Sequence, residues 1–301
     1  MKVINRFIGV SLLLLSTCFS LKAQEVQVIR DLSYFDGADR DSDKHKLDLY
    51  LPKGLVNPPM MLWIHGGAWA YGGRHIEEDL ARQFASKGIA MAAMSYRLSP
   101  GTWKDPTLTE GIQHPEHIRD VARAFKWLNQ NASEYGYSQE NLFVSGYSAG
   151  GHLSALLCVD PTYLKEVDMT IASIKGAIPI AGAYDISNYH QVFVEGSEPS
   201  LAVEHVEAVF GPTEAHWKKA SPTTYAEQLN TPMLVVSENQ TYNYTRLFEK
   251  AIKAAQKPDV KFLHVREMGH GDFYRHLANA SDSEYRDQII RFVLELAGAG
   301  G

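Results

Sequence analysis

Ser148 stands at the centre of Gly146-Tyr147-Ser148-Ala149-Gly150. A serine hydroxyl is a weak nucleophile until a base takes its proton, so this stretch demands a histidine within hydrogen-bond reach. His270 is the candidate, held between two glycines in Met268-Gly269-His270-Gly271-Asp272, just after the last apolar run before the C-terminal helix pattern. The chain has 12 histidines, so type alone decides nothing. His264, inside a strand pattern, and His276 compete with it, and neither falls on a suitable loop. Acyl transfer also needs N–H donors for the oxyanion of its tetrahedral intermediate, and the backbone N–H of Ala149, beside the nucleophile, is the first candidate.

Such a serine works only if the chain lifts it clear of its surroundings. The apolar run Leu142-Phe143-Val144 precedes it and the small-residue stretch Gly151 to Leu157 follows, which predicts strand, sharp turn, helix. Glycine at both ends of the pentapeptide permits a strained turn with no Cβ to clash. The hydroxyl then sits at the positive end of a helix, where developing negative charge is favoured.

The flanking chain alternates strands and helices. Residues 26–33 and 46–51 predict two half-exposed strands, antiparallel at a sheet edge. Met60-Met61-Leu62-Trp63-Ile64 and Ile89 to Tyr96 are apolar runs suited to strands covered on both faces, with a helix around 77–87 between them. Ile118, Val121, Ala122, Phe125 and Leu128 fall on one face of a helix. Ile174 to Ile180, Met233 to Val236 and Val260 to Val265 predict three more strands. Tyr244 to Ala255 and Tyr285 to Leu296 predict helices, and the polar, aromatic stretch 186–228 predicts a small helical lid. This alternation implies one domain, residues 24–301, built on a mostly parallel eight-stranded sheet with helices on both faces.

Met1 to Ala23 differs from the rest. Lys2 and Arg6 precede the apolar core Phe7 to Leu15, and Ala23 offers a small residue at a cleavage point. The pattern predicts a secretory signal peptide rather than a membrane span, and a secreted or periplasmic protein with no transmembrane span once mature. A variant reading takes Leu15-Ser16-Thr17-Cys18 as a lipoprotein signal with Cys18 acylated. Cleavage after Ala23 leaves Cys158 as the sole cysteine. It also removes three basic residues and no acidic ones, moving the formal charge from −6 to −9. That charge argues against a nucleic-acid or anionic-membrane partner. No phosphate loop or dinucleotide fingerprint is present, so no cofactor is expected. His114-Pro115-Glu116-His117 reads as capping and packing, not a metal site.

His65-Gly66-Gly67-Ala68-Trp69, Gly146 to Gly150 and the late His270 together resemble the α/β-hydrolase fold, in the order of its esterase and lipase branches. More narrowly, Ser95-Tyr96-Arg97-Leu98-Ser99-Pro100 followed by His114 to Asp120 resembles enzymes of the kynurenine-formamidase and feruloyl- or acetyl-esterase type. The resemblance covers roughly residues 30–297. It implies an oxyanion hole completed by the N–H groups of Gly67 and Ala68, with His65 orienting their loop and Trp69 lining a substrate pocket. It also implies a triad acid a few residues past Val236, where this chain departs from the pattern. The usual slot holds Gln240, which has no charge to stabilise an imidazolium. Glu238, two residues earlier on the same loop, is taken as the triad acid; Asp185 after the sixth strand is another candidate, and a site without an acid is the third alternative.

The reading that follows is a secreted serine hydrolase that cleaves a carboxylic ester through an acyl-enzyme. Export points to an external substrate: an acylated glycan, a plant-derived ester or a lipid ester. A kynurenine-formamidase-like amide hydrolase uses the same machinery. A hydrolase-fold binding protein with weak turnover is the alternative that Gln240 motivates.

Overall fold

The computed structural model describes residues 24–298. The expected signal peptide, Cys18 included, lies outside them. Eight strands follow in chain order: β1 Val26–Ser33, β2 Lys46–Pro52, β3 Met60–Ile64, β4 Ala90–Met94, β5 Leu142–Tyr147, β6 Gly176–Ile180, β7 Met233–Ser237 and β8 Val260–His264. They form one sheet in the order β1-β2-β4-β3-β5-β6-β7-β8. β2 runs antiparallel to β1 and β4, and every other neighbour pair is parallel. β3 pairs with β4 on one side and β5 on the other, so the winding direction reverses at β3. In open parallel sheets the crevice beyond the strand ends at such a reversal is where ligands bind.

The helices are α1 Glu78–Ala85, α2 Glu116–Tyr135, α3 Ala149–Val159, α4 Thr162–Lys165, α5 Ile186–Glu195, α6 Ala208–Phe210, α7 Glu214–Ala220, α8 Tyr242–Ala254, α9 His270–Asn279 and α10 Glu284–Ala297. Side chains alternate across a strand, so Met60, Leu62 and Ile64 of β3 enter one core and Met61 and Trp63 the other. Ile118, Val121, Phe125 and Leu128 of α2 pack into the first core with Leu153 of α3 and Phe248 of α8. Leu80 of α1, Phe273 of α9 and Ile289 of α10 pack into the second. Each such large apolar side chain contributes about 1.5–3 kcal/mol on burial. α2 stops at Gly136, whose φ of 77° suits a left-handed cap. No helix among the described residues is long and apolar enough to cross a membrane.

Two expectations need correction. β1 is half-exposed, but β2 is buried from Leu47 to Pro52 because β4 pairs with its far side and helices cover it. The alternation in β2 marks an internal ion pair: Asp48, 2% exposed, lies 3.3 Å from Nε of the buried Arg74. The other concerns His270. The glycines on either side predicted a loop, whereas Gly269 caps α9 and His270 is that helix's first residue.

Residues 186–228, inserted between β6 and β7, are helical throughout most of their length. They comprise α5, a π-helical turn Ala202–Glu207, α6, α7 and a 3₁₀ segment Pro222–Gln228.

Candidate active site

β5 delivers Ser148 directly into α3. Its backbone takes φ 57° and ψ −116°, a sparsely populated conformation that costs about 1–3 kcal/mol outside glycine. The surroundings hold it there. The Ser148 N–H donates to the Ile180 carbonyl of β6 at 2.9 Å, and its own carbonyl accepts from the His152 N–H at 3.0 Å. The flanking glycines are required by close approach. A Cβ on Gly146 would meet the Ile64 carbonyl at 2.6 Å, and one on Gly150 would collide with the same carbonyl.

His270 follows β8 on the far side of the reversal and lines the same cavities as Ser148. Its Nδ1 lies 3.0 Å from Oε1 of Glu238, a carboxylate with a fully buried side chain. A carboxylate at Nδ1 holds the ring proton there and leaves the Nε2 lone pair free to act as base. Burial pushes the Glu238 carboxyl up. Hydrogen bonds from His270, the Gln240 N–H and Thr241 outweigh that and keep it below its ordinary value, so it is ionised near neutral pH. Gln240 acts on the backbone instead, its Oε1 accepting the His270 N–H at 2.8 Å. The Tyr147 hydroxyl donates to the His270 carbonyl, so the histidine is gripped through both its N–H and its carbonyl. Asp185 takes no part; it caps α5, accepting from the Asn188 N–H at 3.0 Å and from Thr223 at 3.2 Å.

The loop after β3 supplies the remaining polar groups. Gly67, Ala68 and Trp69 all have positive φ, at 104°, 51° and 57°. At Gly67 a Cβ would also run into the Tyr71 carbonyl. The Gly67 carbonyl accepts from Ala70 and Tyr71, whereas among the described residues its own N–H and that of Ala68 donate to no backbone acceptor. The Ala149 N–H is in the first turn of α3, where no intrahelical partner exists. His65, fully buried and stacked on Tyr96 at 4.2 Å, sets Nδ1 2.6 Å from the Gly66 carbonyl and braces the loop.

Ser148 and His270 line two cavities in common. One, of about 190 Å³, runs past Gly66, Gly67 and Tyr147 to Ile76, Glu77 and Tyr274. The other, of about 260 Å³, is bounded by Ala68, Trp69 and Ala149 and by Tyr189, Phe193 and Tyr244. Trp69 thus lines a pocket, as expected, and α5 of the inserted segment walls it. A more open hollow of about 800 Å³ along α8, beside Arg246 and His264, has no serine in its lining; the Ser237 hydroxyl 2.7 Å from His264 Nδ1 is buried at the end of β7. The His114–His117 stretch packs: His117 is buried with Nε2 2.9 Å from Ser99 Oγ.

A family model described as BD-FAE matches residues 47–242, from β2 to the first residue of α8. The chain belongs to the BD-FAE family. The span that carries this membership holds Ser148 and Glu238, and His270 lies beyond it. Among relatives, this BD-FAE member is 27% identical to esterase LipC of Mycobacterium tuberculosis over 250 residues, 77% of this chain and 58% of LipC. It is 24% identical to kynurenine formamidase of Danio rerio, over 90% of this chain and 83% of that protein. It spans 40% and 50% of the length of two further mycobacterial esterases, LipM and LipQ. Among solved structures, esterase B of Lactobacillus rhamnosis superposes with a TM-score of 0.74 at 20% identity, covering 92% of this chain and 87% of the other. That likeness establishes the α/β-hydrolase fold for this BD-FAE protein.

Sequence reasoning missed that Tyr147 and Gln240 hold the backbone of His270. Their partner is remote in the chain, and no local spacing signals them.

Proposed function

We propose that this protein is an exported serine hydrolase of carboxylic esters that works through an acyl-enzyme. The observation that carries the reading is the Glu238–His270 contact of 3.0 Å beside Ser148 in its strained turn. In the first step the Ser148 oxygen attacks the ester carbonyl as His270 Nε2 takes the hydroxyl proton. Glu238 stabilises the imidazolium that results. The oxyanion meets the N–H groups of Ala149, Ala68 and Gly67, a contribution of about 3–4 kcal/mol of barrier per donor. His270 then returns the proton to the departing alcohol, and water hydrolyses the acyl-Ser148 ester with His270 again as base.

The substrate class we assign is an acylated glycan, a plant-derived ester or a short-chain lipid ester. Two features support it. The 190 Å³ cavity limits one half of the ester to a short or single-ring group, and the signal-like sequence of residues 1–23 points to a substrate outside the cytoplasm. Amide hydrolysis of the kynurenine-formamidase kind is the second reading, supported by similarity to that enzyme over nearly the whole chain.

A fluorophosphonate probe should label Ser148. Ser148→Ala should abolish labelling and lower turnover by several orders of magnitude, because nucleophile and base act as a unit. Labelling that maps elsewhere overturns the mechanism. Parallel assays of acetylated and feruloylated sugars, short p-nitrophenyl esters and an N-formyl arylamine separate the two readings. For export, mass spectrometry of native material should find the chain beginning near Gln24 outside the cytoplasm. Retention of Met1 contradicts it, and a lipidated Cys18 would make the protein membrane-anchored.

A further inference from the structure

The chain as a whole is acidic, with a formal charge of −6, yet the hollow of about 800 Å³ along α8 is basic. Arg246, Lys250 and Lys253 line it against a single carboxylate, Glu249. Glu249 is already engaged, with Lys253 Nζ at 2.6 Å and His264 Nε2 at 3.7 Å. Arg246 and Lys250 are exposed, and neither has an ion-pair partner among the described residues. Their charge is left to meet an anion from outside.

A ring between cations sets this face apart from scattered surface lysines. Tyr242, also in the lining, has the guanidinium of Arg246 over its ring at 5.8 Å and that of Arg266 at 5.9 Å. Such contacts restrain a guanidinium and leave free the N–H fork that binds a carboxylate through two hydrogen bonds. The ring is itself held. His264 meets it edge to face at 4.9 Å, and His264 Nδ1 is tied to the buried Ser237 hydroxyl at 2.7 Å. Forks restrained before binding lose less freedom when an anion arrives.

The hollow also adjoins the cavity at Ser148. Tyr189 and Tyr244 line the 260 Å³ cavity and meet edge to face at 5.4 Å. The residues just before them, Asn188 and Asn243, line the hollow. A wall of two tyrosines therefore separates the two spaces. From Tyr242 to Lys253, α8 rises about 17 Å, so a molecule that reaches both spaces is an extended chain.

We propose that this hollow is a second subsite, taking a carboxylate-bearing sugar of the same glycan chain whose acyl ester is held at Ser148. Arg246 and Lys250 bind the carboxylate, and the side-chain amides of Asn188 and Asn243 bond sugar hydroxyls. The inference rests on the acylated-glycan branch of the hydrolase reading and narrows it to acidic glycans of the polyuronate kind.

Binding tests the subsite without turnover. Unesterified trigalacturonate, titrated calorimetrically into the parent protein, should bind at least about 10-fold more tightly than neutral maltotriose, the lower end for a hydrogen bond to a charged group. Arg246→Glu with Lys250→Glu should abolish that preference. Both positions are exposed, so the fold should be retained. Lys87→Glu with Lys175→Glu, at exposed positions outside the hollow, makes the same change of net charge and should leave binding unaltered. In turnover, the Arg246/Lys250 variant should lose about 10-fold in kcat/KM on acetylated trigalacturonate and keep the parent's value on p-nitrophenyl acetate, which is too small to span both spaces. No binding of trigalacturonate, equal binding of maltotriose, or equal losses in the two double variants overturns the inference. Binding of phosphatidylglycerol vesicles through Arg246 and Lys250 in place of the sugar also overturns it. Failure of the hydrolase reading shows separately, as absence of Ser148 labelling and of p-nitrophenyl acetate hydrolysis in the parent.

Discussion

Two polar residues on one loop divide the work that the usual triad position does alone. Glu238 puts its charge on the imidazole, and Gln240 fixes the backbone of the same histidine. Charge and placement are thereby separable by mutation. Because Glu238 stays ionised near neutral pH, Glu238→Gln removes a charge that the transition state uses and permits the wrong ring tautomer. We expect kcat to fall by about 10⁴-fold, the loss seen when a serine-protease triad loses its acid charge. Circular dichroism should show the fold retained. Activity equal to the parent would remove Glu238 from the mechanism.

At the scale of elements, β5, the turn at Ser148 and α3 hold together only because β3 and β6 press on them. The strained φ at Ser148 is tolerated because Ile180 of β6 accepts its N–H and the end of β3 abuts Gly146 and Gly150. Two Gly→Ala substitutions separate close approach from backbone conformation. Gly136→Ala, at the end of α2, has nothing within 4 Å of the new Cβ and suffers only from its φ of 77°, a cost of about 1–2 kcal/mol. Gly150→Ala drives a methyl group into the Ile64 carbonyl, forcing β3 and the turn apart, and should cost about 3 kcal/mol or more. Urea midpoints of the two variants check the contrast, and equal losses would refute the close-approach account.

The whole molecule buries titratable groups of both signs without charge partners, which sets how stability varies with pH. Burial holds His65 and His117 down to about 3, and His152 and His205 down to about 4. In the unfolded chain these rings titrate near 6.5. As pH falls below that value the unfolded state gains protons the folded state refuses, so stability is lost. Glu77 acts in the opposite sense. Burial raises it from 4.5 to about 7, so the folded state keeps a proton that the unfolded state has released, and stability falls as pH rises across that window. Between pH 6.5 and 4.5 the four histidines outweigh the one carboxyl. The urea midpoint should therefore drop on acidification by the equivalent of several kcal/mol. Glu77→Gln, which keeps the carbonyl acceptor without titrating, should gain about 1–3 kcal/mol over the parent at pH 8 and much less at pH 4.5. A gain independent of pH would mean that Glu77 is not held protonated by burial.

Strand and helix order followed from hydrophobic periodicity, because buried parallel strands and amphipathic helices must be apolar where they meet the core. The turn at Ser148 was legible because its backbone demands glycine on both sides. The placement of His270 after β8 and the candidacy of Glu238 were legible for the same kind of reason: each lies just past a strand end, where a parallel sheet gathers its loops. The sequence favoured Glu238 over Asp185 as the acid, but the contact of 3.0 Å with His270 is a property of the fold. Glu238 and Gln240 are two residues apart, and only the path of the loop decides which side chain meets Nδ1 and which meets the backbone. The burial of β2 was hidden because Asp48 reads as a solvent face until Arg74 arrives from another element. Likewise the start of α9 at His270 depends on packing of Phe273 and Leu277 into the second core, which glycine-rich flanks do not announce. Glu77 and Tyr274 lie 197 residues apart, the first at the start of an expected helix and the second in a stretch where no element was expected. Only the packing of α9 against the 3₁₀ turn Arg74–Glu77 and the start of α1 buries them together, because a carboxyl's environment is set by what packs over it and not by its neighbours in the chain.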